Sequence, residues 1–322
     1  MRALVQDEYG GLEVVKVAEV PVPHPGPGEV LVKVQAASIN EWDQGLMHGT
    51  PLVNRTSGLR RPRRRTLGSD VAGVVEAVGG SVTRFRPGDA VFGDLSGCGF
   101  GAFAQYARAA ESALTAMPGF LTFEQAAAVP QAGGLAVAGL EKGGPLRPGQ
   151  RVLMNGGGGG VGTFAIQIAK ASGVEVTGVD GPGKLDVMLE LGADRVIDYT
   201  AEDFTHSGEQ YDLILDVVCR RSVVDYRRAL GPGGRCGVVG GSTGRLVGAA
   251  ALGQALRLSG GRRVSLVMYR ANRPDAMERL VGLMGQGSVK PVIDRVFPLD
   301  QGREAMAHYL SGSFAGKIVI IM

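Results

Sequence analysis

The chain has 322 residues, 44% of them hydrophobic, and a formal net charge of +3. That length suits one large domain or two ordinary ones with a sizeable core, and so small a charge gives no argument for a nucleic-acid partner. Three cysteines, Cys98, Cys219 and Cys236, form no C-x-x-C pair, which excludes a disulfide framework and points to a reducing, cytoplasmic setting.

The N-terminal residues 1–9 lack the apolar core of a signal peptide. The first segment reads as β-rich. Residues 14–17 (V-V-K-V) and 30–34 (V-L-V-K-V) predict strands, joined by a turn-rich connection holding Pro21, Pro23, Pro25 and Pro27. Residues 70–78 predict another strand, 86–93 a turn into a strand, and 101–106 one more. Short strands punctuated by Pro and Gly suggest a small barrel or curled sheet. A helix is expected from Thr122, with Gln125 completing a capping box. The apolar stretch 126–140 contains Pro130, Gln131 and three glycines, too short and too interrupted to cross a bilayer, so no membrane partner is expected.

From residue 151 the pattern alternates. Strands are predicted at 152–154, 174–179, 195–198, 212–216, 235–239 and 264–268, and helices at 162–172, 182–191 and 221–229. Such alternation means βαβ units and a doubly wound parallel sheet. The tail returns to strand at 292–297 and 317–321, with a helix around 300–310, which implies that it completes the first domain. The fold class is therefore α/β, with a β-rich domain over 1–121 completed by 288–322 and a doubly wound parallel-sheet domain over 122–287.

Five glycines, Gly156 to Gly160, followed by Val161 and Gly162, separate the strand 152–154 from the helix after it. Gly157, Gly159 and Gly162 fit the G-x-G-x-x-G spacing, whose glycines serve a tight turn, close approach to a pyrophosphate, and close helix packing. The helix N-terminus adds free N–H groups and the positive end of its dipole, so Gly157, Gly159, Gly160, Val161 and Gly162 are expected to hold a dinucleotide.

Several blocks in fixed order then carry a family resemblance. They are G-P-G-E-V-L-V-K-V (26–34), A-S-I-N (37–40), L-G-S-D-V-A-G-V-V (67–75), P-G-D-A-V-F-G (87–93), A-A-A-V-P (126–130), the glycine turn, L-G-A-D-R-V-I-D-Y (191–199) and G-K-I-V (316–319). Together they resemble the medium-chain dehydrogenase/reductase superfamily, in its zinc-independent, zeta-crystallin-like quinone oxidoreductase branch. The resemblance implies a GroES-like catalytic domain, a Rossmann domain, an active-site cleft between them and a homodimer. In zinc-dependent members a Cys and a His ligate the metal near the positions of Asn40 and Ser69, and the structural lobe needs four Cys where residues 95–100 carry only Cys98. No zinc or other metal is therefore expected.

The cofactor is expected to be NADP(H) or NAD(H), with the preference unresolved. Asp180, 18 residues after Gly162, suits the adenosine ribose hydroxyls and favours NAD(H). Lys184 suits a 2′-phosphate, and the resemblance places Tyr199 near the adenine end. It also places Gly240, Gly241 and Ser242 along the nicotinamide.

On the catalytic side, hydride addition to an enone or quinone leaves an enolate or phenolate, which asks for a proton donor or oxyanion stabiliser. Residues 40–49 match the family's N-x-x-D segment, so Asn40 and Asp43 are expected catalytic residues, with Asn40 near the nicotinamide ribose. The tyrosine and arginine common in the family are replaced here by Gly45 and Met47, and a threonine by Leu135. His48 is a substitute donor only if it faces the cleft. Trp42 is expected at the substrate. Arg55, Arg60, Arg61, Arg63, Arg64 and Arg65 crowd one segment, where Arg60 and Arg61 in particular suit an anionic or thioester-linked small-molecule substrate, such as an acyl-CoA. Without interleaved aromatics the run is no nucleic-acid signal.

The leading expectation is a metal-free NAD(P)H-dependent reductase of a quinone or α,β-unsaturated carbonyl. Two alternatives stay open: a cofactor-binding sensor or scaffold without redox turnover, and a zinc-independent secondary alcohol dehydrogenase.

Overall fold

The structure, a computed structural model, describes residues 1–55, 58–240 and 261–322. Gly241 and Ser242 lie outside the described residues. In chain order the elements of the first part are β1 (Arg2–Gln6), β2 (Val15–Glu19), β3 (Glu29–Ser38), α1 (Glu41–His48), β4 (Asp70–Val78), β5 (Ala90–Asp94), β6 (Tyr106–Ala110), β7 (Leu114–Ala116), α2 (Phe123–Ala127) and α3 (Pro130–Glu141). Next come β8 (Arg151–Asn155), α4 (Gly160–Lys170), β9 (Glu175–Asp180), α5 (Leu185–Glu190), β10 (Arg195–Asp198), β11 (Tyr211–Asp216), α6 (Val223–Ala229), β12 (Leu230–Val238) and β13 (Arg263–Leu266). The chain closes with α7 (Pro274–Gly285), β14 (Ile293–Pro298), α8 (Gly302–Ser311) and β15 (Lys317–Ile321).

Contacts divide the chain into two units. The first holds residues 1–131, 271–277 and 291–322, the second residues 132–270 and 278–290. The first boundary falls ten residues beyond the expected one, at 131 rather than 121, because α2 packs on β3 and β4 of the first unit. In that unit the strands run β14-β15-β3-β4-β5-β7, with β6 also paired to β3. Only β14 and β15 run parallel to each other; the remaining pairs are antiparallel. Val30, Val32 and Val34 of β3 alternate into a core shared with Val71 and Val75 of β4 and with Ile318 and Ile320 of β15. The C-terminal strand thus finishes the first unit's sheet, as a period-2 apolar run allows.

In the second unit a six-stranded parallel sheet has the order β10-β9-β8-β11-β12-β13. Its central strand is V-L-M between polar ends, buried on both faces, as strands of a covered parallel sheet are. The order reverses between β8 and β11, which makes their carboxyl ends the topological switch point where such sheets bind ligands. Helix α4 is buried from Gly162 to Ala169, so its apolar residues face inward all round.

Three details differ from the sequence expectations. Residues 101–105 form no strand: Phe100 and Gly101 have positive φ, and only Ala104 makes an isolated bridge, to Ala3. Residues 41–48, where the sequence predicted no strand or helix, form a helix. The helix expected over 182–191 splits into a 3-10 turn at Pro182–Lys184 and α5.

Candidate functional site

In the second unit the glycine turn is built by contacts that leave no room for side chains. Gly156 has φ +84°, and its N–H and that of Gly157 both donate to the Val179 carbonyl, which ties the turn to β9. A Cβ on Gly162 would lie 2.2 Å from the Gly156 carbonyl oxygen and 2.5 Å from Gly157 Cα. A Cβ on Gly157 would meet Met188 Sδ at 2.5 Å. At Gly159, by contrast, only the Gly156 oxygen lies near, at 3.5 Å. The first intrahelical bond of α4 runs from the Thr163 N–H to the Gly159 carbonyl, so the N–H groups of Gly160, Val161 and Gly162 have no helical acceptor. Partly open glycines beside free N–H groups at a helix N-terminus form a cradle that fits a pyrophosphate.

The structure brings Asp180, Lys184 and Tyr199 to this turn. One Asp180 oxygen accepts the Gly158 N–H at 2.9 Å, and the other accepts the Gly181 N–H at 2.8 Å. Lys184 Nζ stands 3.6 Å from the Asp180 carboxylate. Tyr199, half exposed, lies against the Gly181 position, and its N–H donates to the Asp180 carbonyl. Asp180 therefore fastens the glycine turn to the end of β9. Gly240 follows β12, with Val217 O beside it.

In the first unit, Asn40 and Asp43 are brought together, and the reason is local. Asn40 is the N-cap of α1, and the Asp43 carboxylate reaches back to the Asn40 N–H at 2.8 Å, half of a capping box. The other Asp43 oxygen accepts the Gly68 N–H at 3.1 Å, which pins the segment entering β4. Asp43 is fully buried. Asn40 turns its carboxamide the other way: Nδ2 donates to Ser69 Oγ at 3.0 Å and Asp70 Oδ2 at 2.9 Å, while Oδ1 accepts from Lys317 Nζ. Lys317 heads β15, is buried, donates also to the Ile39 carbonyl, and stands 3.7 Å from Asp70. Asp70 accepts further from Ser38 Oγ and from the N–H of Gln131, the second residue of α3.

One buried ammonium thus serves three fully buried acids, Asp43, Asp70 and Asp94. Burial pushes Asp43 up to about 7, and the Asp70 charge pushes the same way. Burial likewise pushes Asp70 up to about 7, against the pull of Lys317. The same desolvation draws Lys317 below its ordinary value.

The two positions where a zinc-dependent relative carries Cys and His are Asn40 and Ser69, and here they hydrogen-bond each other beside an ammonium group. That donor set does not fit zinc, and among the described residues no group of three or more His, Cys, Asp and Glu is placed to hold a metal.

Other expected residues are placed apart. His48, half-buried, ends α1, seven positions from Glu41. Trp42 is 42% exposed at the start of α1. At Gly45 a Cβ would meet Asn54 Nδ2 at 2.5 Å, so the Asn54 side chain would have to swing aside for a larger residue, and Met47 is buried in the core. Among the six arginines, Arg55 stacks on Tyr9, Arg64 lies over Phe100 and Arg65 pairs with Asp7. Arg60 and Arg61 are exposed. Sequence reasoning missed two residues, Lys317 and Gln131. Each left a signal: a lysine heading an apolar strand (K-I-V-I-I), and a glutamine inside A-A-A-V-P-Q-A.

Known proteins share this architecture. A family model described as "Alcohol dehydrogenase GroES-like domain" matches residues 26–119, and one described as "Zinc-binding dehydrogenase" matches residues 191–320. The chain is 33% identical to the chloroplastic quinone-oxidoreductase QR1 of Triphysaria versicolor, over 99% of this chain and 98% of that one. It is also 33% identical to the 2-methylene-furan-3-one reductase of Solanum lycopersicum, over 99% of this chain and 79% of that one. The quinone oxidoreductase of Escherichia coli, solved with NADPH, superposes with a TM-score of 0.86 at 25% identity, covering all of both chains.

Proposed function

The chain belongs to the medium-chain dehydrogenase/reductase superfamily as a quinone oxidoreductase-like member, and from that premise we propose that it reduces a quinone or an α,β-unsaturated carbonyl with NADPH. The observation that carries the proposal is the glycine cradle at the switch point of the parallel sheet, with Lys184 at its ribose end. Relatives that reduce a quinone and a methylene-furanone support the substrate class.

A bound reduced nicotinamide would supply a hydride, which carries both electrons of the reduction. The chain's residues do the rest. Gly160, Val161 and Gly162 bind the pyrophosphate through backbone N–H groups, Gly159 leaves room for its approach, and α4 lends its dipole. Asp180 fixes the turn, and Lys184 offers a cation to a 2′-phosphate. In the first unit, Lys317 and Asp43 act as positioning residues that hold Asn40 and its carboxamide in one orientation. A conjugated substrate is already electrophilic and needs no Lewis acid, which agrees with a donor set that does not fit zinc.

The Lys184 reading sets the cofactor preference. In Lys184→Ala the Kd for NADPH, measured by quenching of protein fluorescence, should rise about tenfold, the loss of a charge-assisted contact worth about 1.5 kcal/mol. NADH, which lacks the phosphate, should bind with little change. Equal losses for the two cofactors would assign Lys184 to the turn rather than to the phosphate.

The activity itself is tested by mixing the protein with reduced cofactor and an ortho-quinone, an enone or an enoyl thioester, and following cofactor absorbance. Oxidation with at least one of the three is expected. Cofactor binding without oxidation across the panel would instead support a sensor or scaffold.

A further inference from the structure

In the first unit the arginine-rich segment 58–65 is held at both ends. The Gly58 N–H donates to the Arg55 carbonyl at 2.9 Å, and the Tyr9 hydroxyl donates to the Gly58 carbonyl at 2.7 Å. At the far end the Gln6 N–H donates to the Arg65 carbonyl at 2.9 Å, against β1. Between these ties the chain turns tightly. A Cβ on Gly58 would lie 2.1 Å from the Arg61 carbonyl oxygen, and Pro62 is buried. The arginines divide by what they touch. Arg55 stacks on Tyr9 and donates to the Gly49 carbonyl, Arg64 lies over Phe100, and Arg65 shares Asp7 with Lys16. These three build the segment. Arg60, Arg61 and Arg63 are exposed, and among the described residues no carboxylate pairs with any of them. Two large apolar side chains stand in water in the same stretch of chain. Leu59 is 72% exposed, and Leu52, in the 3-10 turn that ends at Arg55, is 73% exposed.

We propose that this segment is a docking surface for an anionic lipid membrane, with Leu52 and Leu59 entering the boundary of the acyl chains and Arg60, Arg61 and Arg63 meeting headgroup phosphates. The proposal is independent of the reductase reading. No described helix is long and apolar enough to cross a membrane, so the contact is one with the surface. The two residue types serve different parts of it. Unpaired guanidinium groups draw the protein to a negative leaflet, over a range that salt shortens. The leucines then bury apolar area a few ångströms below the phosphates, while the arginines keep their charged ends at headgroup level. A free phosphate ligand would satisfy the arginines and leave both leucines in water. A lipid surface offers the charge and the apolar layer together.

Sedimentation of the full chain with vesicles tests this. The protein should pellet with vesicles of phosphatidylglycerol and phosphatidylcholine in equal parts, stay in solution with phosphatidylcholine alone, and be released by high salt. In the triple variant Arg60→Ser, Arg61→Ser, Arg63→Ser the partition coefficient should fall about 100-fold, at about fivefold for each arginine. In Leu59→Ser it should fall about tenfold. All four side chains are exposed, so the melting temperature should stay level in both variants, which separates lost docking from lost folding. Failure of the wild type to pellet with the anionic vesicles overturns the proposal, as does equal binding to phosphatidylcholine alone. Binding that survives both variants places the contact elsewhere on the chain and overturns it too. Binding that falls with the arginines, is unchanged in Leu59→Ser and is displaced by inorganic phosphate assigns the segment to a phosphate ligand instead.

Discussion

Gly162→Ala should abolish cofactor binding at any practical concentration, with a Kd raised by about 100-fold or more. The added methyl would fall 2.2 Å from the Gly156 carbonyl oxygen and 2.5 Å from Gly157 Cα. Both neighbours are backbone, so neither can swing aside as a side chain would. Either α4 lifts away from the turn or the turn moves, and in both cases the N–H groups of Gly160 and Val161 no longer converge where the pyrophosphate would sit. A displacement of about 1 Å in a positioning element is enough for a hundredfold loss, and overpacking adds a stability cost of about 1–3 kcal/mol. Gly159→Ala makes the contrast. The protein itself has room for that methyl, with one oxygen at 3.5 Å, so melting should hardly change while binding weakens through contact with the ligand. Fluorescence titration and thermal melting on the two variants separate close helix packing from close ligand approach.

Lys317→Met should destabilise the folded protein by about 3–5 kcal/mol, the range seen when one partner of a buried ion pair is removed. That is a large part of the 5–15 kcal/mol by which a domain is ordinarily stable. The lysine is the ammonium placed against Asp70, and it also donates to Asn40 and to the Ile39 carbonyl. Its loss leaves two acceptors unpaired and raises the cost of ionising Asp70 and Asp43.

The pH dependence follows with a definite sign. Asp43 and Asp70 have folded values pushed up to about 7 from an ordinary 3.8. Between those values the folded state holds protons that the unfolded state has released. Their contribution to stability is therefore full at the acid end, lost as the pH rises toward 7, and level above it. Urea unfolding of the wild type should show greater stability at about pH 5 than at about pH 8, at up to about 1.4 kcal/mol per pH unit for each group within the window. In Lys317→Met the gap between the two pH values should widen, since the cation that favoured ionised Asp70 is gone. A loss of equal size at both pH values would mean that Lys317 acts through packing alone.

Much of the architecture was legible in the sequence because it rests on periodicity. The V-L-V-K-V run of β3, the V-L-M of β8 and the closing I-V-I-I of β15 state their sheets directly. Strand β12 was less legible over its first half, since Leu230-Gly-Pro-Gly-Gly carries turn residues, and there the register with β11 jumps from Leu230 to Arg235. Helix α1 hid behind Gly45 and Gly49, although Asn40 and Asp43 already spelled a cap and Gly49, at φ +63°, a left-handed end. The N-x-x-D pattern carries two meanings, and the structure displays the folding one: Asp43 is wholly used by the N–H groups of Asn40 and Gly68.

Spacing anticipated which residues gather around the glycine turn, because the glycines, Asp180, Lys184 and Tyr199 all lie at or just after the carboxyl ends of neighbouring strands. The acid's bond to Gly158 was invisible, since it depends on how the turn folds back. Nothing local announces that Lys317 meets Asn40 across 277 residues of chain. Nor does spacing reveal a glutamine whose backbone is tied to a carboxylate 61 residues earlier.

Hydride transfer from the nicotinamide to a conjugated carbon is tested most directly by isotope. The protein is given an enone and reduced cofactor dideuterated at C4, and the product is examined by proton NMR and mass spectrometry. Deuterium at the β-carbon, with the α-proton drawn from water, is the expected result. Unlabelled product, or bound cofactor that stays reduced in the presence of enone, quinone and enoyl thioester alike, would contradict it.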